Sequence, residues 1–189
     1  MDIKGKLMPE LTDDLLLSAC KPISGQRRNT MKIKLPYDSS KPITGEASIA
    51  INKPIHDVFA FIGEHFFDNY PKWSPEIVAF EPFQIDAVTV GAKAKQIRKD
   101  NGAKVESIFE ITAYQPPNQL TLQGLTEPYK HNYLLASDEQ KQPTHLTFRF
   151  ELLELDIFMR PFEKLIRTAI EDGAENTVEN IKNLICLDS

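Results

Sequence analysis

The stretch that decides the fold is residues 144–186, which read THLTFRFELLELDIFMRPFEKLIRTAIEDGAENTVENIKNLIC. Apolar and polar side chains alternate over residues 144–153, which is the period of a strand with one buried face. Pro161 fits the first turn of a helix, so we predict one helix from about Arg160 to about Cys186, roughly 39 Å long at 1.5 Å per residue. Its apolar positions form one stripe, as in a helix that lies on a sheet: Phe162, Ile166, Ala169, Ile170, Gly173, Thr177, Ile181 and Leu184.

Upstream of residue 144, the pattern predicts six more strands and two short helices. Ile55, Val58, Phe59 and Ile62 share one helical face, and a second helical piece over 64–69 follows Gly63. The strands are joined by short connections, which predict an antiparallel meander, and the strongest hairpin signal is Asn-Gly at residues 101–102. We therefore predict an α+β fold in which a curved antiparallel sheet of about seven strands surrounds the long C-terminal helix. The predicted strands cover 47–51, 76–83, 92–99, 103–114, 119–124, 129–136 and 144–153.

Length, charge and cysteine content narrow the class of protein. The 189 residues fit one domain over 45–189 with an N-terminal extension over 1–44. A net charge of −5 disfavours nucleic-acid binding, which depends on Lys and Arg contacts to phosphates. We find no signal-peptide pattern in residues 1–10 and no apolar stretch of transmembrane length. Because Cys20 and Cys186 form no ligand-spaced set, we expect reduced thiols and a cytoplasmic location.

The N-terminal extension has patterns of its own. Residues 15–19 are typical of a short helix that Thr12 can cap, and residues 31–35 alternate like a half-buried strand. Residues 36–42 have the composition of a linker. The extension can pack on the main domain or on a protein partner, and the sequence leaves both open.

Four segments carry a resemblance to a known family. Residues 69–77, NYPKWSPEI, resemble the Tyr-x-x-Trp-x-Pro segment of the polyketide cyclase/dehydrase and lipid-transport family, which belongs to the START/Bet v1-like SRPBCC superfamily. Val90-Gly91, residues 111–120 (ITAYQPPNQL) and residues 144–147 (THLT) resemble further family motifs in the same order. The resemblance covers residues 45–187 and implies a helix-grip fold with a cavity between sheet and final helix. It brings no shared catalytic motif, so catalytic residues stay unassigned.

Ten side chains are candidates for lining such a cavity. Ser107 is placed by the alternation of its strand, whereas the placement of His131 and Tyr133 depends on the strand register. A few polar groups in an apolar pocket orient a ligand, although such groups also bond each other or water. Trp73, on a predicted loop, caps a cavity mouth or seals one end of the core, and Gly173 leaves room for a ligand or lets helix and sheet approach closely. The ten candidates are Trp73, Ser107, Phe109, His131, Tyr133, Phe148, Phe150, Ile166, Ile170 and Gly173.

Two other sets of residues are weaker candidates. The histidines at 56, 65 and 145 have none of the spacings of a zinc site, so we expect no metal and no cofactor. Positive charges concentrate on the predicted second hairpin, where they steer an anionic head group or, as charge runs usually do, only contact solvent. These charges are Lys93, Lys95, Arg98, Lys99 and Lys104.

Three functions are compatible with these patterns. The first is binding or transport of a hydrophobic small molecule, lipid-like or polycyclic, in the cavity. The second is a polyketide cyclase or dehydratase type of enzyme that uses Ser107, His131 or Tyr133 for proton transfer in the same cavity. The third is a protein-interaction module that uses the groove or residues 1–44. The lack of a recognisable acid–base constellation favours the first function over the second.

Overall fold

The computed structural model describes residues 41–83, 87–100, 102–137 and 143–187. The predictions for the helix at 15–19, the strand at 31–35 and Cys20 lie outside these residues. The described residues form one seven-stranded sheet. Its strands are β1 (Ile43–Ile51), β2 (Ile77–Pro82), β3 (Lys93–Asp100), β4 (Ala103–Gln115), β5 (Gln119–Gly124), β6 (Tyr129–Ala136) and β7 (Thr144–Leu152).

The sheet is an antiparallel meander that is completed by the first strand. Its spatial order is β1-β7-β6-β5-β4-β3-β2, and every neighbouring pair is antiparallel. At the tip of the β3–β4 hairpin Asp100 pairs with Ala103, and Gly102 has φ +86°, a left-handed conformation that glycine adopts without a steric penalty. The predicted curved α+β sheet is confirmed, and β1 begins at Ile43, two residues before the predicted start of the domain.

Two short helices close one end of the sheet between β1 and β2. Helix α1 (Ile55–Phe59) runs into a π-helical turn over Ala60–Glu64, and α2 (Phe66–Trp73) follows. The predicted break at Gly63 is therefore a widened turn, and the second helix lies later than the predicted 64–69. Trp73 is the last residue of α2 and only 1% exposed, so its predicted place on a loop is wrong.

The C-terminal helix α3 (Glu163–Leu187) packs across β1 and β7. It begins later than predicted because residues 157–162 form a 3₁₀ helix, whose first turn is capped by the Asp156 carboxylate accepting from the Phe158 N–H at 2.8 Å. The predicted inward stripe is wrong at two positions, since Phe162 is 46% exposed and Gly173 is exposed to solvent. The observed buried stripe is Ile166, Ile170, Ala174, Val178, Ile181 and Ile185.

The helical period explains why Gly173 faces solvent and not the interior. One residue turns the helix by about 100°, so after Ile170 the chain offers either Gly173 or Ala174 to the sheet. Ala174 and Val178 bury more apolar surface, and the helix is rotated to face them inward. A Cβ atom at Gly173 would meet nothing within 4 Å, so neither of its predicted roles holds.

The glycine that allows close approach is Gly45 on β1. A Cβ atom there would lie 2.6 Å from Ile170 Cγ2 and 2.7 Å from the Ile170 carbonyl carbon. The backbone of α3 thus rests almost directly on β1 at this point. Gly45 pairs with Phe150, and Phe150 pairs with His131, so α3 meets the β1 end of the row of the sheet that contains His131.

Candidate ligand-binding site

The inward face of the sheet is built by strand alternation. On β6, Tyr129, His131, Tyr133 and Leu135 are buried on the side of the main core, whereas Asn132, also buried, bonds Thr121 and Glu151 on the outer side. Of the ten predicted lining residues, eight are buried or partly buried among the core side chains of this inner face and of α3. These eight are Ser107, Phe109, His131, Tyr133, Phe148, Phe150, Ile166 and Ile170.

One end of the interior is filled by aromatic rings, which we call the aromatic cluster: Phe66, Tyr70, Trp73, Phe109 and Tyr133. The Phe66 and Tyr70 rings stack with centroids 4.8 Å apart, and the Trp73 and Tyr133 rings meet edge to face at 6.1 Å. The indole N–H of Trp73 donates to the Tyr133 hydroxyl at 3.4 Å. The carbonyl of Trp73 accepts from Asn180 Nδ2 on α3 at 3.1 Å. Trp73 therefore ties α2 to α3 and seals this end of the core, the second of its two predicted roles.

Polar side chains lie together further along the same inner face, and we call them the polar cluster: Gln96, Ser107, Tyr129 and His131. The Gln96 amide donates from Nε2 to the Ser107 hydroxyl and to the Tyr129 hydroxyl, both at 3.0 Å. The Tyr129 ring lies 5.0 Å from the His131 ring, centroid to centroid. Gln96 is 1% exposed and Ser107 4%, so the cluster is enclosed.

His131 has an apolar environment on its other sides. Its ring centroid lies 5.4 Å from that of Phe148 and 5.1 Å from that of Phe150. Neither ring nitrogen has a hydrogen-bond partner among the described residues, and the same holds for Gln96 Oε1 and Glu127 Oε2. An unpaired buried polar atom costs about 1–3 kcal/mol, and the great majority in folded proteins are paired. Three of these atoms belong to the polar cluster, which is therefore a distinctive position in the interior.

Burial shifts the pKa values of the ionisable side chains in this part of the protein. The pKa of His131 is lowered from 6.5 to about 3, chiefly by desolvation and secondarily by the positive charge of Arg98, so its imidazole is neutral at pH 7. Desolvation raises the pKa of Glu127, an effect that Arg98 opposes. Burial also raises the pKa of Tyr133, partly offset by its hydrogen bond with Trp73.

The basic residues of the β3–β4 hairpin separate into two groups. Lys93 and Lys95 alternate with the buried Ala94 and Gln96, and they form ion pairs with Glu110 at 3.6 Å and Glu106 at 2.9 Å on the outer surface. The charge of Arg98, in contrast, acts on both His131 and Glu127. Two of the five predicted charges therefore have acidic partners on β4.

Sequence reasoning missed three residues of this region. Gln96 shares the alternation of Ala92 and Ala94, so the same pattern that placed Ser107 could have placed it inward. Tyr129 and Glu127 have no comparable signal, because their contact with β3 depends on how far β6 is offset from β4. Among the described residues no group of three potential metal ligands converges, and no helix is long and apolar enough to cross a membrane.

A family model places this fold among known proteins. The model for polyketide cyclase / dehydrase and lipid transport proteins matches residues 42–185. The chain belongs to this family. Its seven-stranded sheet and C-terminal helix are the helix-grip fold of Bet v1-like proteins, so both the resemblance and the fold class predicted from the sequence are confirmed.

Solved structures with the fold of this polyketide cyclase / dehydrase and lipid transport family are distant in sequence. TTHA0849 from Thermus thermophilus is 14% identical with a TM-score of 0.61, over 77% of this chain and 99% of that one. The Polyketide_cyc-like protein Cgl2372 from Corynebacterium glutamicum is 21% identical with a TM-score of 0.53, over 76% and 92%. The di-domain ARO/CYC StfQ from the steffimycin biosynthetic pathway is 9% identical with a TM-score of 0.60, over 76% and 51%. The comparison with curated proteins finds no significant match.

Proposed function

We propose that the chain binds a hydrophobic small molecule between the inner face of the sheet and α3, as a carrier or binding protein. The observation that carries this proposal is His131, a buried ring among Tyr129, Phe148 and Phe150 whose two nitrogens have no partner in the described residues. Small-molecule sites are mostly apolar and contain a few polar groups that orient the ligand. The family name, which includes lipid transport, supports the same function.

Binding of the neutral dye Nile red tests the proposal. We expect saturable binding at about one dye per chain, with displacement by other apolar compounds. Ala94 and Lys95 provide a matched pair of positions, because Ala94 is fully buried on the inner face and Lys95 is paired with Glu106 outside. Ala94→Leu is expected to reduce dye affinity about tenfold by filling the interior, a loss of about 1.4 kcal/mol, and Lys95→Leu is expected to leave it unchanged.

The outcomes of this experiment are distinct. Circular dichroism establishes that both variants are folded before affinities are compared. Saturable binding that Ala94→Leu leaves unchanged in a folded protein would locate the dye elsewhere on the molecule. A folded wild-type protein that shows no saturable binding of Nile red or of any competing apolar compound would overturn the proposal.

A cyclase-type enzyme is the second candidate, favoured by the family name and by the fold shared with the ARO/CYC protein StfQ. Efficient proton transfer needs a pKa near the working pH. A pKa of about 3 makes His131 a weak base, and the raised pKa of Tyr133 makes its hydroxyl a weak acid. These shifts favour binding over acid–base catalysis. Mass spectrometry of compounds extracted from the wild type and from His131→Phe separates the candidates, because a carrier retains the same compound in both whereas an enzyme accumulates a different one in the variant.

The third candidate, a protein-interaction module that uses residues 1–44, depends on a segment that lies almost wholly outside the described residues. It stays a prediction of the sequence, as does the cytoplasmic location.

A further inference from the structure

We infer that the ligand is an uncharged apolar molecule with a hydroxyl group, and that this hydroxyl bonds His131 and Gln96. The inference rests on the proposed function and specifies the chemical class of the ligand at that site. It follows from the hydrogen-bonding capacity that the polar cluster leaves unused.

The polar cluster leaves two acceptor atoms without a donor. Gln96 commits both N–H groups of its amide to Ser107 and Tyr129, so its Oε1 is left to accept. A neutral imidazole has one N–H donor and one acceptor nitrogen, and both nitrogens of His131 are unpaired. Ser107 accepts from Gln96 and keeps its own O–H, which is a second donor. The polar cluster therefore offers two donors, the His131 N–H and the Ser107 O–H, and two acceptors, Gln96 Oε1 and the second nitrogen of His131.

The unpaired donors and acceptors of the polar cluster favour some polar head groups of a ligand over others. A carboxylate or phosphate has only acceptors, so it can receive the His131 N–H and the Ser107 O–H. It leaves Gln96 Oε1 and the second His131 nitrogen unpaired, and it must be desolvated beside them. An ether or a ketone has the same limitation. A hydroxyl group both donates and accepts, so it can bond Gln96 Oε1 or the acceptor nitrogen of His131 and also receive the imidazole N–H.

The charges nearby disfavour an ionised ligand of either sign. The positive charge of Arg98 and the carboxylate of Glu127 interact with each other, and Arg98 also acts on His131. Because these two charges offset each other, neither a cationic nor an anionic head group gains a net counter-charge for the solvation that it loses. A neutral hydroxyl avoids that desolvation cost, and the rings of Tyr129, Phe148 and Phe150 around His131 suit the apolar body of the ligand.

Displacement of Nile red by matched naphthalenes tests the inference. The probes are 2-naphthol, 2-methoxynaphthalene, 2-naphthoate and 2-naphthylmethylammonium, which share one ring system and differ in the head group. We expect 2-naphthol to bind threefold to tenfold more tightly than the methyl ether, the range of one net hydrogen bond, and more tightly than both ions. 1-Dodecanol and dodecanoate repeat the comparison on a linear body, so that ring shape does not determine the outcome.

Variants of His131 and Gln96 test whether these two residues cause the preference for a hydroxyl group. His131→Phe keeps a ring of similar shape and removes both nitrogens, so it is expected to weaken the preference for 2-naphthol over 2-methoxynaphthalene, because only Gln96 Oε1 is then left to accept from the hydroxyl. Gln96→Met is expected to weaken the same preference, and it provides the test if His131→Phe does not fold. Lys130→Ala is the control, because Lys130 adjoins His131 on β6 but belongs to the alternate, outward-facing set of positions.

The results separate this inference from the proposed function. If no naphthalene and no dye binds the folded protein, the proposed function fails. If the naphthalenes bind but the naphthoate or the ammonium compound binds most tightly, the inferred ligand class is overturned while the proposed function stands. Equal affinities for 2-naphthol and its methyl ether, or a preference that is undiminished in both folded His131→Phe and folded Gln96→Met, would also overturn the inference.

Discussion

The two ends of the interior differ in how their polar atoms are satisfied. In the aromatic cluster the Trp73 N–H reaches the Tyr133 hydroxyl, and the rings pack against one another. In the polar cluster Gln96 and His131 are also buried but retain three unpaired atoms. Interior polar atoms are normally paired, so the first end resembles an ordinary protein core and the second resembles a place for recognition. We expect the aromatic end to stabilise the fold, and we propose that the polar end is the part that selects a ligand.

The largest expected effect is at the aromatic end. Trp73→Ala should lower the free energy of unfolding by about 3–5 kcal/mol, because it removes a fully buried ring and leaves a cavity. Urea denaturation measures this loss. Phe158→Ala is the control, since Phe158 is 83% exposed and its loss should change stability by less than about 0.5 kcal/mol. A cost below about 1 kcal/mol at Trp73 would contradict the assignment of a structural role to this end.

The close contact between α3 and β1 predicts the next effect. A methyl group at Gly45 would collide with the backbone of Ile170, so Gly45→Ala should cost about 1–3 kcal/mol. Gly173→Ala is the matched control, because Gly173 faces open space on α3 and its replacement should stabilise the helix by up to about 1 kcal/mol. Opposite shifts of the denaturation midpoint are thus expected. Equal shifts in the two variants would show that α3 does not rest on β1 as described.

The pH dependence of stability tests the environment of His131. Its pKa is lowered to about 3 in the folded protein and is about 6.5 in the unfolded chain, so the unfolded chain takes up the proton first as the pH falls. The stabilising contribution is complete above about pH 6.5 and is lost progressively toward pH 3. Between pH 7.5 and 5.5 this group alone should reduce the free energy of unfolding by about 1.4 kcal/mol.

The His131→Phe variant isolates that contribution. Other histidines and the carboxylates titrate in both proteins, so the difference between their two pH profiles reports His131. We expect the wild type to lose about 1.4 kcal/mol more than the variant over this interval. Parallel profiles would mean that the imidazole is solvated, and the contrast between the two ends of the interior would disappear.

The smallest expected effect is at the hydrogen bond of the aromatic end. Tyr133→Phe removes the acceptor of the Trp73 N–H and leaves that donor buried, so a loss of about 1 kcal/mol is expected. Tyr114→Phe is the control, because Tyr114 is only partly buried and its loss of a hydroxyl should change stability by less than about 0.5 kcal/mol. If both substitutions have the same small effect, the 3.4 Å bond contributes nothing to this end.

Sequence patterns predicted the sheet more accurately than the helices. The bounds of β5 and β6 agree residue for residue, helped by strong turn residues before each strand: Pro116, Pro117 and Asn118 precede β5, and Pro128 precedes β6. The bounds of α2 and α3 do not agree, since Pro71 and Pro161 each fit more than one kind of helical turn. Alternation likewise placed Ser107 inward, and it could have placed Gln96.

The rest of the site required three-dimensional information. The contact between Gln96 and Tyr129 joins residues 33 positions apart on strands that are not neighbours in the sheet, and no local pattern fixes their offset. The error at Gly173 has a similar origin, because two helical stripes are compatible with the sequence and only the packing of α3 on the sheet selects one. Local periodicity therefore predicts which side chains share a face of a strand or helix. Contacts between particular side chains depend on the register of the strands and on how the helix packs.

The pairing of β1 with β7 has a consequence for the order in which the protein folds. These strands join the beginning and end of the domain, as in the hydrogen bond of 2.7 Å between Ser48 Oγ and Thr147 Oγ1, 99 residues apart. Closing so long a loop costs chain entropy before the contacts can compensate, and such topologies fold slowly. During synthesis β1 has no neighbouring strand until β7 has left the ribosome, and α3 has no complete surface to pack on before that. The meander from β2 to β7 can assemble first, and the addition of β1 and α3 then encloses the interior as the last step.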